Sequence, residues 1–205
     1  MTCRTQTSSA MARLVLLVLL GAGLPQAMAC SPSSAVVESG RRGADEGPRP
    51  EVPSSVPPPQ IQAWMDSLTV AHAYDAETGF IVAKEVIDLP PIIADGPPLA
   101  DAIAAGRAES RDVVVFATAD WCAPCQQFKK STLNDQVVLA ALGRTGLVVS
   151  HIEVDRQAEA ADRWLGGRAI PMTYLFRNGE RIAELRGQRS AQQLLEWLRI
   201  NSKQG

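Results

Sequence analysis

The feature that most constrains this chain is Cys122-Ala123-Pro124-Cys125, set just behind the continuous apolar stretch Val113 to Thr118. Such a stretch marks a strand buried on both faces, and the residues from Cys122 to Lys130 read as a helix. One cysteine, Cys122, therefore stands at a helix N-terminus, where unpaired N–H groups favour an anionic sulfur. Cys125 lies one turn on and faces the same side, so the pair can cycle between dithiol and disulfide. Zinc would need two further ligands, and beyond the N-terminal region the chain offers only Cys30, His72 and His151. Haem attachment needs a histidine after the second cysteine, where Gln126 stands. A permanent structural disulfide closing so short a loop would constrain the unfolded chain little. No metal and no cofactor is expected.

Around this motif the elements alternate. Leu99 to Arg107 reads as helix, and a helix from Asp135 to Leu142 has Asn134 as its candidate cap. A strand follows at Leu147 to Val154 and a helix at Ala158 to Leu165, which ends at Gly166-Gly167. Thr173 to Arg177 and Ile182 to Leu185 flank Asn178-Gly179, a two-residue hairpin signal, and Ala191 to Arg199 closes as an amphipathic helix. The order α, β, α, α, β, α, β, β, α implies an α/β class: a central mixed β-sheet flanked by helices on both faces.

The N-terminal residues have another texture. Arg4 and Arg13, the apolar run Leu14 to Leu24 and the small residues before Cys30 have the order of a secretory signal over 1–29, too short to span a bilayer. Ala27-Met28-Ala29-Cys30 resembles a lipobox, with Ala27 where leucine is usual, so Cys30 is the expected lipidation site. Ordinary signal cleavage at the same bond is the alternative, which would make the chain secreted without an anchor, and Met11 is an equally good start to Met1. Residues 30–60, with seven Pro, six Ser and three Gly over 31–60, read as a disordered tether, stiffened by Pro57-Pro58-Pro59.

In the lead-in, 61–96, Ile61, Trp64, Leu68 and Ala71 recur at helical spacing. Phe80 to Val82 and Val86-Ile87 read as strand, and Asp75 to Gly79 as a turn. Residues 30–96 carry four basic and ten acidic side chains, net −6, whereas 97–205 carry fourteen and twelve, net +2. A solvated acidic segment is expected, with packing on the main domain as the alternative. The whole chain has net charge −2, which gives no bias toward nucleic acid.

Trp121-Cys122-Ala123-Pro124-Cys125 resembles the thioredoxin active-site signature, and Ile170-Pro171 before a strand resembles that family's cis-proline; the likeness spans about 97–200. Ala119-Asp120-Trp121-Cys122, Phe128-Lys129-Lys130 and Asn134-Asp135-Gln136-Val137-Val138 resemble the C-terminal periplasmic domain of the DsbD thiol:disulfide interchange reductases. The resemblance implies a thioredoxin-like fold over 97–205 and catalytic Cys122 and Cys125 sharing a redox-active disulfide. It implies support from Trp121, Pro124 and Pro171, with Ile170 and Pro171 binding an extended substrate segment. An ordinary trans proline at 171 and a plain core aromatic at 121 are the alternatives.

Thioredoxins usually carry a buried Asp six residues before the first cysteine, and here that position is Phe116. His151 is the candidate replacement proton partner, while Asp120 and Glu153 read as solvated. The expected function is reduction of disulfide-bearing envelope proteins in the periplasm, fed by a membrane electron-donor protein, with a monomer held by its lipid anchor. An oxidase or isomerase, a cytochrome c maturation thioredoxin and a non-catalytic binding module remain as alternatives.

Overall fold

The computed structural model describes residues 54–143 and 146–203; the signal segment, Cys30 and the tether up to residue 53 lie outside them. β3 (Asp112–Thr118) is buried along its whole length and organises the domain. It pairs in parallel with β4 (Leu147–Glu153) and antiparallel with β5 (Met172–Arg177), which pairs antiparallel with β6 (Glu180–Arg186). The sheet order is β4-β3-β5-β6. Asn178 and Gly179 join β5 to β6 with φ of 52° and 82°, the left-handed pair a tight hairpin requires.

Alternation on β3 splits the core in two. Val113, Val115 and Ala117 face α3 (Leu99–Ala108) together with both cysteines and Leu165. Val114 and Phe116 face Phe128, Leu133, Leu142 and Leu194 on the other side. That second face is covered by α4 (Ala123–Phe128), which continues as a π-helical turn over Lys129–Leu133, by α5 (Gln136–Leu142) and by α7 (Ala191–Asn201). Each such side chain contributes about 1.5–3 kcal/mol on burial. Phe116 packs edge-on against Phe128 with ring centroids 6.3 Å apart.

β4 is an edge of this sheet among the described residues, and the stretch Pro91–Pro98 packs beside it. Ser150 donates its hydroxyl to Pro97 O at 2.9 Å. At Gly96 a Cβ would lie 2.5 Å from the Val149 carbonyl oxygen, so the chain hugs β4 only with glycine here.

The lead-in differs most from expectation. α1 (Pro59–Ser67) begins two residues earlier than 61, within the stretch expected as tether. Proline suits a first helical turn, whose N–H would be unpaired anyway, and Pro58 before it has φ −54° and ψ 148°, near polyproline II. β1 (His72–Asp75) pairs with β2 (Phe80–Ala83) in a hairpin, whereas Val86-Ile87 is not strand. The hairpin is not a solvated acidic segment. Leu68, Val70 and Ile81 are buried against Ala123, the first residue of α4.

Two helix assignments also change. Asp135, not Asn134, caps α5, accepting from Val137 N at 2.9 Å and Val138 N at 3.1 Å. Asn134 instead donates to Asp88 O and Lys129 O, both at 3.0 Å. The helix expected at Ala158 to Leu165 is one turn, α6 (Ala158–Ala160), followed by a π-helical turn over Ala161–Leu165.

Candidate redox site

β3 delivers the chain to the site and α4 carries it away, so Cys122 is the cap of α4. Its sulfur accepts from Cys125 N at 3.2 Å, and the two cysteines are joined as a disulfide with Cα atoms 5.2 Å apart. Cys125 is fully buried; Cys122 is 3% exposed and lines a groove. The Ile170–Pro171 peptide is cis. Ile170 packs against the cluster that contains both cysteines and lines the same groove as Cys122 and Pro124.

The lead-in completes the site. Ala83 N donates to Trp121 O at 2.7 Å, and Val82 bridges Cys122 in antiparallel fashion, so β2 runs against the active-site turn itself. Phe80 stacks on Trp121 at 5.3 Å between ring centroids, and the indole N–H donates to Asp155 Oδ2 at 2.6 Å. Trp121 therefore stands beside the sulfurs as a held, half-exposed plate.

Sequence reasoning missed Gln126 and Gln127, which are buried polar residues immediately behind the motif. Gln126 Oε1 accepts Ile87 N at 2.7 Å while its Nε2 donates to Asp120 O at 3.0 Å. Gln127 Oε1 accepts Thr69 N at 2.6 Å and the Thr69 hydroxyl at 3.0 Å. Together they staple the lead-in to α4. Two adjacent amides in a helix whose other residues over Ala123–Phe128 are apolar were the available signal.

Below the turn lies a charged cluster. Lys129 is buried and pairs with Asp120 at 3.3 Å; Arg156 pairs with the other oxygen of the same carboxylate. Glu153, expected in solvent, is instead buried, and its oxygens accept Asp120 N at 3.1 Å and Arg156 N at 2.8 Å. It fixes the loop. His151 pairs in register with Phe116, and its Nε2 lies 2.8 Å from the Thr118 hydroxyl. Burial, then the Lys129 charge, hold the imidazole at about 4 from the usual 6.5; Asp120 opposes this and Arg156 adds to it. Among the described residues no hydrogen bond joins His151 to either cysteine. His72 stands on β1 in register with Ala83, with Nδ1 2.7 Å from Val70 O.

Comparison with known proteins places the second half of the chain in a known domain class. Residues 99–200 match the family model described as a thioredoxin-like domain. A probable thioredoxin-2 of Caenorhabditis elegans is 33% identical over 87 residues, which cover 42% of this chain and 56% of that protein, so the chain spans little more than half its length. A solved thioredoxin from Thermus thermophilus is 28% identical, with a TM-score of 0.44 over 50% of this chain and 82% of that one. A Fasciola hepatica thioredoxin is 22% identical, with a TM-score of 0.41 over 50% of this chain and 93% of that one. Residues 99–200 of this chain are a thioredoxin-like domain.

Proposed function

We propose that the chain is an exported thiol-disulfide oxidoreductase that reduces disulfides in proteins of the bacterial cell envelope. The observation that carries this reading is unequal access: Cys122 opens onto a groove, Cys125 is sealed behind it, and a disulfide joins them. In the reduced chain the Cys122 thiolate attacks one sulfur of a partner's disulfide. That bond breaks, the other partner sulfur leaves as a thiolate, and a mixed disulfide forms. Cys125 then loses its proton and attacks the Cys122 sulfur, releasing the partner's second sulfur reduced and leaving the oxidised pair. A membrane electron-donor protein returns two electrons.

Access explains the division of labour, and local polarity supports the direction. The N–H of Cys125 directed at Cys122 Sγ favours that sulfur as the charged nucleophile. Ala123 and Pro124 add no charged or hydrogen-bonding side chain, so the dithiol gains no unusual stability and the couple leans toward reduction. Ile170 and Pro171 stand where an extended partner segment would lie beside the sulfurs. Lipidation at Cys30 and the DsbD-type role belong to this same proposal, on the residues given above.

The test is the equilibrium reduction potential of the Cys122/Cys125 pair in residues 31–205, titrated against glutathione with alkylation and mass readout. A value near the thioredoxin end, about −270 mV, is expected. A value near that of DsbA, about −120 mV, would replace the reading with disulfide formation or isomerisation. A pair that does not titrate would leave a binding module.

A further inference from the structure

The groove at Cys122, about 390 Å³, is built from two regions of the chain. Trp121, Cys122, Pro124 and Ile170 come from the thioredoxin-like domain, whereas Trp64 and Phe80 come from the lead-in. Trp64, Phe80 and Trp121 remain 44%, 53% and 38% exposed, so three large aromatic side chains are kept in contact with water around one sulfur. Such side chains lose burial energy by standing there, and an occupant would restore it. The charged rim residues have partners: Asp155 accepts from Trp121, and Arg168 pairs with Asp162 at 3.1 Å. The walls are mainly apolar, and the Asp155 carboxylate on the rim keeps its charge because its partner is a neutral N–H.

We infer that Trp64 and Phe80 are specificity-determining residues, which make the chain prefer cystine-bearing protein segments with a bulky apolar side chain next to the reacting cysteine. This rests on the oxidoreductase reading and deepens it. The cysteine lining the groove commits the occupant to a disulfide-bearing segment, because only such a molecule gains a covalent step by docking there. Two observations make the lead-in wall a fixed part of the site. Ala83 N donates to Trp121 O, and the buried Gln126 and Gln127 amides hold the lead-in main chain at Ile87 and Thr69. The slot is preformed, so a fitting side chain orders little on entry.

The probes are two pentapeptides, Gly-Phe-Cys-Gly-Gly and Gly-Ser-Cys-Gly-Gly, each as its mixed disulfide with 5-thio-2-nitrobenzoate. Attack by reduced Cys122 on the peptide sulfur breaks that bond and releases the chromophore, and Cys125 then frees the reduced peptide. The pre-reduced wild-type chain, in a single turnover, is expected to take the phenylalanine probe with a second-order rate constant about tenfold higher, the scale of one apolar side chain in a pocket. The double variant Trp64→Ala, Phe80→Ala should bring the ratio of the two probes to about one. The conservative pair Trp64→Phe, Phe80→Tyr should restore it. If the double variant does not fold, Phe80→Ser alone should lower the same ratio, since that ring is half in water already. A wild-type ratio of one, or a ratio that survives loss of the aromatics, overturns the inference while leaving the oxidoreductase reading intact. Failure to release chromophore from either probe, with no titratable couple, sinks that reading and this one with it.

Discussion

β3 and β2 both end at the redox pair, and they are held there by different means. β3 is buried along all seven residues, with ladders to β4 and β5 on its two edges and core on both faces. β2 pairs with one neighbour, buries Ile81 alone, and leaves Phe80 half in water. The first is fixed by its own domain; the second is a docked element whose position depends on a few polar staples and a small apolar cluster. Cooperative packing over many partners makes one region insensitive to any single contact outside the core. Few contacts make the other separable, the usual basis of local opening.

The sharpest way to probe that division begins at the cysteines. Cys122→Ser or Cys125→Ser should lower steady-state disulfide reduction by about three orders of magnitude or more, because each bond exchange needs its own sulfur. Melting of the reduced form should barely move. Substantial turnover by Cys125→Ser would place resolution on another thiol.

Next in size is Phe116→Ala, which removes the ring at the centre of the second core face. A loss of about 3–5 kcal/mol in global denaturant stability is expected. A loss under about 1 kcal/mol would mean that β3 is not the organising element described here.

His151 should give a pH signature in the same domain. Its folded value of about 4 lies below the usual 6.5, so between these values the unfolded chain binds a proton that the folded chain refuses. Stability from this group is present above about pH 6.5 and is lost as pH falls toward 4. The loss is on the order of 2–3 kcal/mol, and His151→Gln should flatten that part of the profile. Resolution by Cys125 measured in the same variant at pH 7 tests the proton-partner role, and an unchanged rate would end it.

The smallest expected effect falls on the lead-in. Gln127→Ala leaves Thr69 N without its acceptor and should cost about 1–3 kcal/mol, as local opening rather than global unfolding. Hydrogen exchange at residues 69–83 should quicken while β3 and β4 stay protected. If instead the whole domain melts in step, the lead-in is an integral layer of the core and the comparison fails.

Much of the domain is legible in sequence because its signals are local. The apolar Val113 to Ala117 run, the paired cysteines at a helix start and Asn178-Gly179 each carry their own physics: burial, an exposed N-terminus, positive φ. The lead-in hairpin is less legible. Phe80 to Ala83 reads as strand, but His72 to Asp75 has no alternation to mark it and becomes strand because β2 lies beside it. The acidic balance of the segment argued for solvent, yet its apolar minority, Leu68, Val70 and Ile81, decides where it goes. Glu153 similarly looks like a strand-end charge and is buried because two main-chain N–H groups converge on it.

Composition and spacing by themselves determined the fold class, the buried central strand and the sulfur pair, since each depends on contacts within a few residues along the chain. Only the tertiary structure decided that Trp64 and Phe80 stand over Cys122, that Gln126 and Gln127 turn inward, and that His151 faces Thr118. Those outcomes depend on groups dozens of residues apart in the chain meeting in the fold. No local propensity encodes which of them will meet.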